Sequence, residues 1–389
     1  MEGLNENVTE GGGLVRLVSL NIRGNSSTFG GMDKYLAGQE KADMIVLQEV
    51  KVQEQILVDL CEARGYLAKV SIDLVSGLGV AVIWRKGFPL LSYQIIEEGR
   101  IQLLDLGFGP IVNVYGPAGK LSQQARRKFF GETLFSRLSS LSVFWLLGDF
   151  NYILSRLDTA GNYKDKFCPV LHDLVSAMRL VDGYRDLNPD GIDFTWIREG
   201  FHPSRLDRII YPAAVRDRVR NIVHKASLSD HRALVVTLEA EDVPLSRRRY
   251  KQAYWKLNVN CLEEDDCLEI LEEIFTNSLG SKDDFEDDAE WWESVKKTIT
   301  SFLKKYGARR ARTRRDTTDF LYCLLDVALS DRDFPEINRV KSALKDLVLE
   351  DAWGVAVRSR VTSEIEDEAA GIFHLNQEKK MQRSVLFPA

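Results

Sequence analysis

Val143-Phe144-Trp145-Leu146-Leu147-Gly148-Asp149-Phe150-Asn151 opens on an unbroken apolar run and closes on Gly-Asp-x-Asn. A short apolar run without polar alternation predicts a strand covered on both faces. Helices supply that cover, which argues for a mixed α/β fold. The polar cluster then falls at the strand's C-terminal end, where α/β proteins bind ligands in a crevice. Asp149 and Asn151 flank Phe150, so their side chains share a face if the extended backbone continues. An Asp so placed can take a proton from an attacking water, while the Asn amide steadies a nucleophile or a phosphate.

The same signals recur on either side. Strands are predicted over Leu14–Leu20, Met44–Leu47, Gly79–Trp84, Leu91–Ile96, Ile101–Leu106, Ile111–Tyr115, Phe194–Ile197, Arg205–Tyr211 and Ala233–Leu238. Amphipathic helices are predicted over Val52–Arg64, Ser122–Leu138 and Pro169–Met178. Leu91–Ile96 and Ile101–Leu106 read as a hairpin. This pattern fills 14–240, after a polar, Gly-rich tail over 1–13. Strand signals cease near 242. Apolar residues then recur at helical spacing in Leu268–Phe275, Trp291–Leu303, Phe320–Leu329 and Val340–Leu349. Residues 241–389 are therefore predicted as an all-α extension, with Pro244–Arg249 as the linker.

The chain has 389 residues and a formal charge of -6, so its overall field does not attract nucleic acid. Residues 1–240 carry 28 basic and 28 acidic side chains, and the rest carry 24 and 30. Attraction must come from local clusters such as Lys304–Arg315, with seven Lys or Arg and no acid. That run reads equally as a solvated helix face. Five scattered cysteines without a C-x-x-C pair predict reduced thiols, with neither a disulfide partner nor a zinc site. The polar, Gly-rich start reads as no secretory leader, and no apolar run is long enough to span a bilayer. These features predict a nuclear or cytoplasmic protein that is not secreted and has no membrane partner.

Other polar groups sit beside the predicted strand ends. Glu49 follows Met44–Leu47. Taken alone it reads as a helix-start acid; taken as a ligand, it offers the hard oxygen that magnesium prefers. Asn21 ends the first strand and could join such a shell, or shape a turn ahead of Gly24. Arg23 could fork onto a phosphate. Tyr115 offers a phenol; Thr195 and Trp196 offer a hydroxyl and a stacking face. Ser204, Arg205 and Ser229 complete the candidate substrate-binding set. Asp207 and His231 are the central pair, because an imidazole acting on phosphate must be held in one tautomer by a carboxylate. Asp230 is placed to approach a metal while His231 faces the scissile phosphate. Jointly and in this order, these groups suit metal-assisted phosphodiester hydrolysis.

Residues 14–240 resemble the exonuclease-endonuclease-phosphatase superfamily, and within it most closely the endonuclease domain of LINE-type non-LTR retrotransposons. Ser19-Leu20-Asn21-Ile22-Arg23-Gly24, Leu47-Gln48-Glu49, Gly148-Asp149-Phe150-Asn151 with Leu157-Asp158, Phe194-Thr195-Trp196, Ser204-Arg205-Leu206-Asp207 and Ser229-Asp230-His231 carry the resemblance. It implies a two-sheet β-sandwich flanked by helices, with a divalent-metal site at one end. Tyr254–Asn258, Trp291-Trp292 and Gly354–Arg360 resemble the linker that precedes reverse transcriptase in such elements, which implies part of an element without the polymerase. AP endonucleases carry Asp where this chain has Arg23, a departure that argues against abasic-site repair more than against nicking.

The expected function is a Mg2+-dependent endonuclease, with Mn2+ as a substitute, that nicks double-stranded DNA to leave 3′-hydroxyl and 5′-phosphate ends. Glu49, Asn21 and Asp230 are the expected metal ligands; His231, Asp149, Asn151, Asp207 and Tyr115 are the expected catalytic groups. Ser71–Gly77 and His202–Ser204 are candidate reading loops. A lipid or small-molecule phosphodiesterase or phosphatase of the same fold, and a catalytically silent nucleic-acid-binding remnant, stay open as alternatives.

Overall fold

The computed structural model describes residues 13–24, 41–51, 54–62, 64–119, 123–240, 257 and 259–347. The tail, the Pro244–Arg249 linker, most of Tyr254–Asn258 and Gly354–Arg360 lie outside the described residues. By contact, the chain divides into one unit built on residues up to Tyr250 together with Leu321–Lys345, and a second built on Lys251–Phe320 and Asp346 onward.

Among the described residues the first unit holds twelve strands: β1 (Gly13–Asn21), β2 (Met44–Gln48), β3 (Tyr66–Ile72), β4 (Gly79–Arg85), β5 (Ser92–Glu97), β6 (Ile101–Asp105), β7 (Pro110–Tyr115), β8 (Trp145–Asp149), β9 (Leu180–Asp182), β10 (Asp207–Pro212), β11 (Val219–Lys225) and β12 (Ala233–Ala240). They form two six-stranded sheets, ordered β11-β12-β1-β2-β4-β3 and β5-β6-β7-β8-β10-β9. β1 runs parallel to β2 and β7 parallel to β8; the remaining neighbours are antiparallel.

Alternation along the strands builds three apolar layers. Val15 and Leu17 of β1 join Val82, Trp84, Ile111, Trp145, Leu147, Ile209 and Tyr211 between the sheets. Val18 and Leu20 face the opposite way, onto Ile45, Leu47, Leu57 and Cys61, the last two from the helix Glu54–Glu62. On the far side, Val112, Val114 and Leu146 meet Phe130, Leu134, Leu171 and Val175 from the helical segments 123–138 and Pro169–Ala177. Each fully buried side chain of this size contributes about 1.5–3 kcal/mol. Burial on both faces is why the central strands read as unbroken apolar runs.

The strands that the sequence pattern missed are β3, β9 and β11. All three stand at sheet edges, where half-exposed positions admit polar residues such as Lys69, Arg220 and Lys225 and dilute the apolar signal. The expected strand Phe194–Ile197 is not one. Only Trp196 makes isolated bridges, to Ser204 and His231. The backbone there is irregular because the Thr195 hydroxyl accepts from Leu206 N and Asp207 N, at 2.9 and 3.0 Å.

In the second unit, the helix Asp265–Gly280 packs near the long helix Asp288–Asp331 around Cys261, Cys267, Leu303 and Tyr306. Trp291 Nε1 donates to Ser278 O at 2.8 Å. Asp287, just ahead of the long helix, accepts from Glu290 N at 2.8 Å. The basic run Lys304–Arg315 lies within the same helix. Arg310 pairs with Glu264, Arg314 donates to Leu347 O, and Arg309 stacks 4.9 Å from the Tyr306 ring centroid. Part of the run is therefore engaged in holding this unit together.

Candidate active site

Register brings the strand ends together. Asn21 is opposite Gln48, Tyr115 is opposite Asp149, and Asp149 is opposite Asp207. Asn21 Nδ2 donates to Glu49 Oε1 at 3.1 Å and to Asp149 Oδ2 at 2.9 Å. Tyr115 Oη donates to the same Glu49 oxygen at 2.9 Å. His231 Nδ1 lies 2.9 Å from Asp207 Oδ2, and its Nε2 lies 3.9 Å from Asp149 Oδ2. One polar chain thus links Tyr115, Glu49, Asn21, Asp149, His231 and Asp207. Ligand atoms of Asp149, Asp207 and His231 all lie within 4.8 Å of one another.

The backbone is strained where these groups project. Arg23, Glu49 and Asn151 have φ of 53°, 53° and 57°, a region that costs a non-Gly residue of order 1–3 kcal/mol and clusters at functional sites. At Asn151 the strain is offset locally: its N–H donates to Asp149 Oδ1 at 2.8 Å and its Nδ2 to Gly116 O at 2.9 Å. Asn151 therefore orients Asp149, and the strand-like same-face placement expected for the pair gives way to a turn.

A buried amide seam lies beneath. Gln48 Nε2 donates to Asn113 Oδ1 at 2.8 Å, and Asn113 Nδ2 donates to Leu47 O and Ala81 O at 3.0 Å each. Gln48 and Asn113 are fully buried, and they join strands of the two different sheets.

Burial raises the Asp149 carboxyl above the ordinary carboxylate range, the His231 charge opposing and Asp207 reinforcing the rise. For His231, burial favours the neutral ring, but the Asp207 and Asp149 carboxylates outweigh it and hold the imidazole above its usual value. The imidazole and the Asp149 carboxylate thus face each other across 3.9 Å, each shifting the other's proton affinity. Burial, then the Glu49 carboxylate, keeps the Tyr115 phenol protonated.

The expected substrate-binding residues divide. Arg23 is half exposed and pairs with Asp230 at 3.4 Å. Trp196 stays half-buried, its ring 3.8 Å from Lys166 Nζ. Arg205 faces inward instead. It is 1% exposed and donates to Asp158 at 2.8 and 3.0 Å and to Asp182 at 2.7 and 2.9 Å. A guanidinium closed by two carboxylates has no donor to spare for a phosphate, which corrects its expected role. Ser204 is likewise buried, its Oγ 3.1 Å from Thr159 Oγ1 and 3.0 Å from Lys166 Nζ. The Thr195 hydroxyl oxygen is buried and accepts from two backbone N–H groups. Ser229 Oγ accepts from His231 N at 3.2 Å and lies 3.4 Å from Asp230 Oδ1, so it shapes the His231 turn.

Sequence reasoning missed Lys166, Asp182 and Arg208. Burial pulls the Lys166 ammonium down to about 8, with the Asp149 carboxylate opposing. Arg208 Nη2 donates to Asp158 Oδ2 at 2.8 Å and its Nη1 pairs with Asp182, closing a buried ion network at the start of β10. Nothing in the spacing of these residues announced the network.

Residues 18–231 match the Endonuclease/Exonuclease/phosphatase family. The chain belongs to that family. The match runs from within β1 to the turn just before β12 and covers every residue in the polar chain above. Among relatives of the endonuclease/exonuclease/phosphatase domain and its extension is the "Transposon TX1 uncharacterized 149 kDa protein" of Xenopus laevis, 26% identical over 313 residues. That alignment takes in 76% of this chain but only 22% of the relative, so the chain spans about a fifth of that protein's length. Similar solved structures include an AP endonuclease from Archaeoglobus fulgidus, with a TM-score of 0.51 at 17% identity, covering 58% of this chain and 99% of that one. A 3′-5′ exonuclease from Neisseria meningitidis gives a TM-score of 0.50 at 18% identity, covering 58% and 100%. These two likenesses place the family's fold. No helix among the described residues is long and apolar enough to cross a membrane.

Proposed function

We propose that the protein is a Mg2+-dependent endonuclease that nicks double-stranded DNA and leaves a 3′-hydroxyl and a 5′-phosphate, in the nucleus or cytoplasm. The observation that carries this reading is the His231 imidazole held between Asp207 and Asp149 beside Glu49 and Tyr115. The family membership and the transposon relative support it. Nicking of target DNA is the step such an element needs from a nuclease.

The donors near Glu49 are oxygen and amide groups without sulfur, a set that suits Mg2+ or Mn2+. Asn21 turns its N–H to Glu49 and its Oδ1 accepts from Arg23 N at 2.9 Å, and among the described residues the acid and imidazole atoms that lie within 4.8 Å of one another are those of Asp149, Asp207 and His231, so Glu49 and Asp230 are proposed as ligands on their oxygen chemistry, with Asn21 as a weaker third. When bound, such a cation supplies positive charge to a phosphate and to a departing 3′-oxygen. Asp149 would orient a water and accept its proton. His231, charged between its two carboxylates, and the Tyr115 hydroxyl would donate to the phosphate oxygens as charge builds. Asp207 would fix the imidazole's tautomer, and Asn151 would aim Asp149. Arg23 and Trp196 stay open to the substrate strand, as do Leu74 and Val75, 91% and 96% exposed at the tip of the Ser71–Gly77 loop.

The test is relaxation of supercoiled plasmid with Mg2+, followed by polymerase extension from the nicks, which requires free 3′-hydroxyls. The reading fails if plasmid stays supercoiled while phosphoinositides or small phosphoesters are hydrolysed. Binding of DNA without cleavage would favour the silent remnant instead.

A further inference from the structure

The turn Ala226–Arg232, between β11 and β12, carries both Asp230 and His231. Inside it, Ser227 Oγ donates to His231 O at 2.5 Å and Ser229 N donates to Ser227 Oγ at 3.0 Å. Two backbone bonds tie it to the neighbouring segment: Ile197 N to Asp230 O at 2.9 Å, and Arg232 N to Thr195 O at 2.6 Å. These bonds leave the Ala226 N–H, the Arg232 side chain and the Ser229 carbonyl to be held from elsewhere.

Leu321–Lys345 supplies that hold. This stretch comprises the end of the long helix, a left-handed residue Arg332 with φ of 59°, and the start of the helix 334–347. Leu325, Leu329, Val340 and Leu344 are buried at helical spacing, so both arms are seated. Their polar contacts converge on the turn. Asp326 Oδ1 accepts from Ala226 N and from Arg232 Nη2, both at 2.8 Å, so one carboxylate joins the turn's first and last residues. Arg232 Nη1 donates onward to Asp193 Oδ1 at 2.6 Å. On the second arm, Lys341 Nζ donates to Ser229 O, the carbonyl just before Asp230. Arg332, at the bend, lies 5.6 Å from the ring centroid of Phe194, next to the Thr195 that holds Asp207 N. A helix pair packed merely to cover apolar surface would scatter its polar contacts. Here they fall on one turn and the segment beside it.

We propose that Leu321–Lys345 is a positioning clamp for the turn that carries Asp230 and His231, acting through Asp326 and Lys341. The proposal rests on the nicking reading for its consequence in activity, but the clamp itself can be read without it.

The experiment uses the full chain and the variants Asp326→Ala and Lys341→Met, with Lys341→Arg as the conservative rescue. Amide hydrogen exchange is followed in the peptide covering 226–232, alongside steady-state nicking of plasmid with Mg2+. The clamp predicts exchange in that peptide faster by about tenfold or more, with the β1–β2 peptides unchanged. It also predicts kcat lower by about ten- to a hundredfold at constant KM, as when a reacting group is displaced by a distant change. Lys341→Arg returns both towards wild type. Wild-type exchange and kcat in both variants overturn the clamp. If the unaltered chain does not nick at all, the proposed activity falls while the exchange result still decides the clamp. Should Asp326→Ala not fold, the isosteric Asp326→Asn is measured in the same way, and unchanged exchange in it counts against the proposal.

Discussion

His231 Nε2 lies 3.9 Å from Asp149 Oδ2, too far for a direct hydrogen bond and close enough for one proton to matter to both. Asp207 fixes the other side of the ring. Losing either member should remove proton transfer while leaving the apolar layers intact. We expect His231→Ala and Asp149→Asn each to lower the nicking rate by at least about a hundredfold. Circular dichroism and melting should show that the fold survives. Either variant nicking within about tenfold of wild type would remove that residue from the mechanism.

Asp158 should be the acid whose loss the fold feels most. It is fully buried and receives Arg205, Arg208 and Arg185. Burial alone would raise its carboxyl, but Arg208 and Arg205 outweigh that and hold it well below the ordinary range. Asp158→Asn leaves buried guanidinium charge facing Asp182 alone and should cost about 3–5 kcal/mol. The sign follows from the depressed folded-state value. The stabilisation is complete above the unfolded carboxylate's pKa of about 4 and is lost as pH falls towards the lower folded value. Urea unfolding from pH 7 downwards should therefore show the gap between the two proteins closing only below about pH 4. A gap that is constant down to pH 2 would refute the assignment.

Lys166 should act on binding. Its ammonium sits over Trp196 and against Ser204, at the side of the site where Asp149 can feel its charge. Lys166→Met should raise KM for DNA and leave kcat within about threefold of wild type, because uniform binding is what it supplies. The slope of log binding against log salt should fall by about 0.9, one phosphate contact. A fall in kcat at constant KM would instead mark a role in the reaction itself.

Within the basic run, Lys305, Arg312 and Arg315 are exposed, unlike the half-buried Arg310 and Arg314. Replacing Lys305, Arg312 and Arg315 together with Gln should weaken RNA or DNA binding and reduce the salt slope by roughly 2–3, at about 0.9 per contact. An unchanged slope would assign the run to the helix surface alone. Arg310→Gln should differ in kind, lowering the stability of its own unit through loss of the Glu264 pair.

Much of this is legible in the sequence. Asn21, Glu49, Tyr115, Asp149, Asp207 and His231 stand out as polar groups beside apolar strands, and the two sheets put those positions side by side. Arg205 shows the limit. In sequence it is a basic residue in a polar motif; its two acid partners, Asp158 and Asp182, are distant in the chain, and only folding turns it inward. Lys166 and Lys341 were illegible for a related reason. Each is an ordinary helix lysine until tertiary packing aims it, and neither period nor propensity records that aim. The edge strands β3, β9 and β11 were lost because half-solvated positions do not need apolar residues.

Asn113 spends its side-chain donors on Leu47 O and Ala81 O, across the gap between the sheets, and its acceptor on Gln48. Grease between two layers lets them slide; this rung does not, since a slip by one residue would strand several wet groups in a dry place at once. The mating of the layers is thereby indexed, like a keyed shaft. The carboxylate side of the site and the imidazole side inherit their spacing from that key, and the oily filling around it is free to change shape without moving either.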